Sequence, residues 1–264
     1  MRRFKTTESS PPAHHTFPMY LTDLYPISTA CIQLASICLQ FKYNKTRKSI
    51  RGLSYDYSLL QFLTHLISIA SLLSFCSSTI TSQYMLRWSL ETPHISLLVL
   101  VLEVISFIVS TGMIIQLIIY KSTRGQNQAI SGYCQGFIIT VLLPLVYLFK
   151  LWLFKQAKIN ELDLVDYGWT MFKLFTNLLF IPQVMVNWMD DSVDGLYPYW
   201  IHLQVACAAF ELVDRVVNGY VWADVSIMMP SLPLIIIKDV SIAIIGFQYH
   251  VYRKRTSEVH YKEV

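Results

Sequence analysis

The sequence predicts an all-α integral membrane protein with seven transmembrane helices, arranged as two parallel three-helix bundles joined by a linker helix. Three observations predict it: a composition short of charge, seven apolar stretches of bilayer length, and a repeat relating the two halves of the chain. Of 264 residues, 54% are hydrophobic and only 14% charged, with mean hydropathy +0.44. A soluble domain would carry roughly a quarter charged residues. The net charge of +4 is not gathered into a basic stripe interleaved with aromatics, so no nucleic-acid partner is expected. Cys31, Cys38, Cys76, Cys134 and Cys207 lie in apolar runs without a CxxC pair. That argues against a disulfide framework or zinc site and reads them as small core residues. His14 and His15 are too isolated for a metal site.

Residues 1–20 are polar and Pro-containing, with neither the apolar core nor the cleavage site of a signal peptide, and read as a disordered tail. A hydrocarbon core of ~30 Å needs about 20 mostly apolar residues per helix. Seven segments qualify, at 24–41, 57–80, 94–120, 132–154, 165–188, 198–222 and 227–251. The third is the most apolar, and Lys173 interrupts the fifth. The expected organisation is a first bundle over 21–123, a linker with the fourth helix over 124–160, a second bundle over 161–252 and a tail over 253–264. Gly132-x-x-x-Gly136 in the fourth helix reads as a helix contact.

Lys and Arg near the helix ends set orientation. Lys42, Lys45, Arg47, Lys48 and Arg51 fall in one loop over 42–55, with Lys121, Arg124, Arg253, Lys254, Arg255 and Lys262 on the same side. The other side carries fewer, so the C-terminus is expected in the cytosol. Asn44-Lys45-Thr46 is a glycosylation sequon, but on this topology it faces the cytosol and stays unmodified.

Two segments align without gaps at an offset of 143 residues: LQFKYNKTRKSIRGL (39–53) and PQVMVNWMDDSVDGL (182–196). The pairs are Gln40/Gln183, Asn44/Asn187, Ser49/Ser192, Gly52/Gly195 and Leu53/Leu196, and Gln61/Gln204 extends the match into the next helix. The repeats start four crossings apart, so both halves insert the same way up. Parallel repeats about an axis along the membrane normal are an established transporter plan.

These residues, with the closing segment KDVSIAIIGFQYHVYRKR, resemble the PQ-loop repeat family, which includes cystinosin, vacuolar and lysosomal basic amino-acid exporters and, more distantly, the SWEETs. The second motif, Pro182-Gln183 through Gly195-Leu196, is a full match; the first has Leu39 in place of proline. The resemblance covers nearly all of 24–255. It implies a transporter of a small solute, an amino acid first, working by alternating access with a hinge at Pro182, and proton coupling as an option. Physically, Pro182 lacks an amide hydrogen, so the fifth helix can kink there, and Gln183 can re-satisfy backbone groups freed by the kink. A static kink with Gln183 as helix-to-helix glue is the alternative. With Leu39, the first helix is expected to be stiffer.

Glu103, Lys173, Glu211, Asp214, Arg215, Lys238 and Asp239 fall inside the spans. Each costs at least ~2.5 kcal/mol at a helix centre when unpaired, so each is expected to face inward and find a partner. Glu211 and Arg215 are spaced for a local pair. Asp239 matches an acidic residue that the family places near its path, with a structural ion pair as the other reading. The family's titrating positions in helices two and six correspond here to Gln61 and Gln204, which hydrogen-bond but carry no proton. A coupled proton would then ride on Glu211, Asp239 or His202, with Glu103 a further member of the polar zone. His65 and His202 read as core histidines.

No GxSxG, HExxH, phosphate-cradling loop or metal-ligand cluster is present, so neither catalysis nor a cofactor is expected. The competing reading is a PQ-loop protein that does not transport, serving as a trafficking receptor like the KDEL receptors or handling lipid or glycan. Tyr261-Lys262-Glu263-Val264 fits the tyrosine-x-x-bulky sorting pattern, which favours a vacuolar or lysosomal membrane and sorting adaptors as partners. ER or Golgi is the second choice.

Overall fold

The computed structural model describes residues 19–88, 96–126, 128–155, 159–221 and 232–262. The N-terminal tail up to residue 18, and Glu263 and Val264 of the sorting pattern, lie outside the described residues. Among the described residues all regular structure is helical, with no strand. The α-helices are α1 (Met19–Arg47), α2 (Tyr55–Ser74), α3 (Ser78–Trp88), α4 (Leu97–Ile119), α5 (Gly132–Leu153), α6 (Glu161–Leu178), α7 (Ile181–Met189), α8 (Trp200–Val221) and α9 (Leu232–Lys262).

Local chemistry sets several starts. The Ser54 hydroxyl accepts from the Tyr57 amide to cap α2, Ser131 caps α5 through the Cys134 amide, and Asn160 with Asp163 forms a capping box on α6. Just beyond α1 and α7, Lys48 (φ 50°) and Asp191 (φ 46°) adopt the left-handed conformation that turns a chain out of a helix. These two positions are 143 residues apart, so the repeat holds in backbone geometry where the side chains differ.

Five helical stretches are long and apolar enough to cross a membrane: Tyr55–Ser74, Leu97–Ile119, Gly132–Leu153, Glu161–Met189 and Leu232–Tyr252. The remaining long helices, α1 and α8, lie in the predicted first and sixth spans and pack on each other. The outer faces of α4 and α5 are apolar, with Ile108, Ile118, Leu143 and Val146 exposed, while Gln40, Asn44, Gln61, His65 and Glu103 are buried. Apolar residues outside and polar ones inside suit a hydrocarbon solvent, and this surface is that of a multi-pass membrane protein.

Helix packing repeats across the two halves. α4 touches α1 and α2, as α9 touches the α6–α7 segment and α8; α1 packs on α8, as α2 packs on α6 and α7. Carrying α1 onto α6–α7, α2 onto α8 and α4 onto α9 maps each of these contacts onto another.

Several boundaries differ from expectation. The predicted second span ends at Ser74, where single-turn bonds (Cys76 N to Leu73 O, 3.0 Å; Ser77 N to Ser74 O, 3.1 Å) close the helix. α3 then lies against α6, where Arg87 Nη1 reaches Asp163 Oδ1 at 2.7 Å and Asp166 Oδ2 at 3.1 Å. These groups are part-exposed, so Arg87→Ala should cost less than about 1 kcal/mol in unfolding titrations. Lys42, Lys45 and Arg47 sit on the last turns of α1, not in a loop, where cations suit the helix dipole. α9 continues helical through Lys262, into the expected tail. A Cβ added to Gly132 or Gly136 would meet nothing within 4 Å, so the expected helix contact at these glycines is not made among the described residues.

Candidate functional site

The segments aligned in the sequence meet in space and hold each other. The Gln40 amide donates to Gly195 O (2.8 Å) and Asn44 Oδ1 (2.9 Å), and its oxygen accepts from the Tyr197 amide (2.8 Å). The Gln183 amide donates to Gly52 O (2.9 Å) and Asn187 Oδ1 (2.8 Å), and its oxygen accepts from the Ser54 amide (2.9 Å). Each group in the first set lies 143 residues from its counterpart in the second. Only a primary amide supplies two donors and an acceptor in this arrangement. Gln183 therefore satisfies the backbone of the opposite loop; the expected repair of its own helix is not what it does.

Gly52 and Gly195 touch back to back at the centre of this clasp. A Cβ on Gly52 would lie 2.6 Å from the Gly195 amide nitrogen, and one on Gly195 would overlap the Gly52 carbonyl. Further glutamines buttress the clasp. Gln116 Nε2 donates to Phe41 O, and Gln248 Nε2 donates to Val184 O, both at 3.0 Å; Phe41 and Val184 are also 143 apart. Gln128, between α4 and α5, donates to Ile50 O (2.9 Å) and Leu53 O (2.7 Å). The roles of Gln116 and Gln128 were not foreseen, although a glutamine in a span as apolar as α4 is itself a signal.

One turn from the clasp, Tyr57, Phe180 and Trp200 pack ring against ring, with centroids 5.4–6.2 Å apart. All are buried. Tyr57 and Trp200 are again repeat partners. Beyond these rings lies a cavity of about 30 Å³ with Gln33, Gln61, Thr176, Gln204, His65 and Lys238 in its wall. Gln33/Thr176 and Gln61/Gln204 are repeat partners, so part of the wall is built in matched pairs. Space of this size holds a water or two, and an amino acid does not fit until the helices separate.

Leu179 and Phe180, where α6 gives way to α7, also line the cavity. The interruption follows from Pro182, which offers no N–H to Leu178 O, the last residue of α6, and whose ring crowds that carbonyl. The matching stretch of α1, with Leu39, is continuous helix.

Two acid–base side-chain pairs stand at the cavity. His65 Nδ1 on α2 lies 2.8 Å from Glu103 Oε2 on α4. Lys238 Nζ on α9 lies 2.6 Å from both carboxylate oxygens of Glu211 on α8. Lys238 is thus a partner of the Glu211 carboxylate from another helix. Gln204 donates to Ser36 Oγ at 2.8 Å, joining α8 to α1. Asp239 is only half-buried and stands outside the cavity wall, and its carboxylate makes no hydrogen bond among the described residues. His202 is exposed beside Tyr199. Of the polar residues singled out in the sequence, the structure brings Gln61, Gln204 and Glu211 to one place and leaves Asp239 to one side. Among the described residues no group of His, Cys, Asp and Glu could hold a metal ion.

No family model matches the chain. It is similar to an uncharacterised protein of Saccharomyces cerevisiae, 29% identical over 206 residues, which cover 70% of this chain and 76% of the yeast protein.

Proposed function

We propose that the protein is a PQ-loop transporter that moves a small solute, an amino acid first among candidates, by alternating access through the cavity between its two repeats. The observation that carries this reading is the cavity wall itself: polar side chains that include repeat-related pairs, buried between halves that a symmetric clasp holds together. A site shared by two similar halves can open toward one side or the other by rocking one half against its partner. With the clasp closed and the aromatic rings packed, the path at that end is shut. Seven crossings complete this reading, with α1 and α8 spanning the membrane as a mutually packed pair whose polar faces are turned inward.

The interruption before Pro182, set against continuous helix at Leu39, supports an asymmetric motion in which α6–α7 bends and α1 moves as a rod. Pro182→Leu should therefore lower turnover several-fold and leave the solute KM within about twofold, because a rate-limiting conformational step is slowed while the wall is untouched. Unchanged turnover with a raised KM would contradict the hinge. Arg47, Lys48 and Arg51 beside the clasp support a cytosolic position for it and for the C-terminus, in a vacuolar or lysosomal membrane.

The decisive experiment is uptake of amino acids and sugars into proteoliposomes holding the purified full chain, with and without an imposed pH gradient. Saturable uptake of one solute class, lost in Gln61→Leu with Gln204→Leu, establishes the transporter. Folded protein that takes up nothing favours a PQ-loop receptor or regulator that binds without moving its ligand. Stimulation by inward protons that persists in Asp239→Asn would move the proton away from Asp239 and toward Glu211.

A further inference from the structure

We infer that the cavity recognises its solute through a carboxylate, so that the solute is an organic acid or an acidic or neutral amino acid, and cationic amino acids are excluded. This rests on the transporter reading and specifies the substrate class of the same site.

The first ground is the sign of the wall. Besides the Tyr57 phenol, the ionisable groups facing the cavity are the bases His65 and Lys238, and no carboxylate among the described residues lines it. The acids stand behind them, Glu103 on His65 and Glu211 on Lys238.

The second ground is how the repeat treats these pairs. Adding 143 to His65 gives Ala208, and Glu211 lies one turn beyond it on α8. Gln116 of α4 and Gln248 of α9 play matching parts in the clasp, and the offset between them carries Glu103 to Ile235, one turn before Lys238. The two pairs thus lie within one turn of corresponding places, each displaced the same way, but base and acid have exchanged helices. Despite that exchange, the cavity-facing member is the base in both halves. Neutral glue between helices would not require this; a site for an anion would.

The third ground is the ammonium group itself. Lys238 is 2% exposed, and its Nζ gives two N–H bonds to the Glu211 oxygens. An ammonium has three donors, and the third meets no acceptor among the described residues. The Glu211 side chain keeps 24% of its exposure, so it has room to turn aside. A solute carboxylate can therefore take the third donor, or replace Glu211 as the partner of the buried cation, with the part-exposed Glu211 carboxylate turning toward solvent. A lysine or arginine solute would bring a second cation to a wall that offers it no carboxylate. Cys207 Sγ, 3.6 Å from Glu211 Oε1, the Gln33 amide bonded to that sulfur, and the Asp239 carboxylate outside the cavity wall are further polar groups near this pair.

The test is uptake of labelled succinate, glutamate, alanine, lysine and glucose by the reconstituted full chain, alongside thermal melting of the purified protein with each compound. The expected result is uptake of at least one carboxylate probe about tenfold or more faster than lysine or glucose. The charge exchange Glu211→Lys with Lys238→Glu keeps the pair and reverses the sign facing the cavity, so it should lose carboxylate uptake and gain lysine uptake. The single variant Glu211→Gln removes the internal competitor and should lower the KM for carboxylates. Preference for lysine or glucose in the native protein overturns the inference and leaves the transporter reading standing. Unaltered selectivity in the charge exchange, or a raised carboxylate KM in Glu211→Gln, also overturns it. Carboxylates that raise the melting temperature with no uptake keep the anion site and sink the transporter; no response to any probe rejects both.

Discussion

Gly195→Ala should destabilise the protein by about 3 kcal/mol, the upper end of what one inserted methyl group costs in a packed interior. The size of the effect comes from what the methyl meets. It would overlap the carbonyl of Gly52, and a backbone atom cannot rotate away as a side chain can. The only relief is to separate the loops, which stretches the two reciprocal bonds from Gln40 to Gly195 O and from Gln183 to Gly52 O. Gly52→Ala adds a second penalty, because Gly52 has φ 84°, a left-handed conformation costing roughly 1–2 kcal/mol for an L-residue. Gly136→Ala is the internal control. A Cβ there meets nothing within 4 Å and lies mid-helix in α5, so alanine should be neutral or stabilising by roughly 0.5–1 kcal/mol. Unfolding of detergent-purified protein in a denaturant titration separates these outcomes, and equal behaviour of Gly195→Ala and Gly136→Ala would remove the back-to-back contact from the account.

The repeat was legible because its most demanding positions tolerate few residue types. Gln40 and Gln183 must each supply two donors and an acceptor, and Gly52 and Gly195 must each bring bare backbone against the other, so both halves show the same letters. Lys48 and Asp191 adopt matching left-handed conformations, yet no shared letter announced them, since that conformation sets no requirement on the side chain here. The partners of the matched residues were not legible. The bonds of Gln183 run to Gly52 and Ser54, and nothing in a linear reading says that one loop's amide completes the other loop's backbone. The facing of a helix was not legible either. Lys238 and Asp239 are neighbours in the chain, but α9 turns Lys238 to the cavity and Asp239 aside, so the acid singled out in the sequence is not in the wall. The interruption of the fifth span was implied by Pro182, while its position at Leu179–Phe180 follows from the bond that proline denies to Leu178. The cavity's acid–base pairs were hidden for the same reason as the clasp: His65 and Glu103, like Glu211 and Lys238, sit on different helices whose packing the sequence does not state.

Gln40→Leu and Gln183→Leu should each cost about 3–5 kcal/mol, and the double variant should cost clearly less than their sum. Leucine fills most of the same volume, so little of the loss is a cavity. The loss is polar: in Gln183→Leu the Gly52 carbonyl, the Ser54 amide and Asn187 Oδ1 are left without the partners they have now. Each buried group so abandoned costs roughly 1–3 kcal/mol, and more severely where no water can reach it. Gln40→Leu abandons the equivalent three, Gly195 O, the Tyr197 amide and Asn44 Oδ1. Because the two glutamines brace loops that touch each other at Gly52 and Gly195, the first substitution already lets the loops part and admits water to the groups the second would strip. A double-mutant cycle in unfolding titrations measures this directly, since contacting sites show coupling of roughly 0.5–3 kcal/mol where independent ones add. Strict additivity would mean that each glutamine braces its loop alone, and the clasp would then be two separate struts sharing a shape.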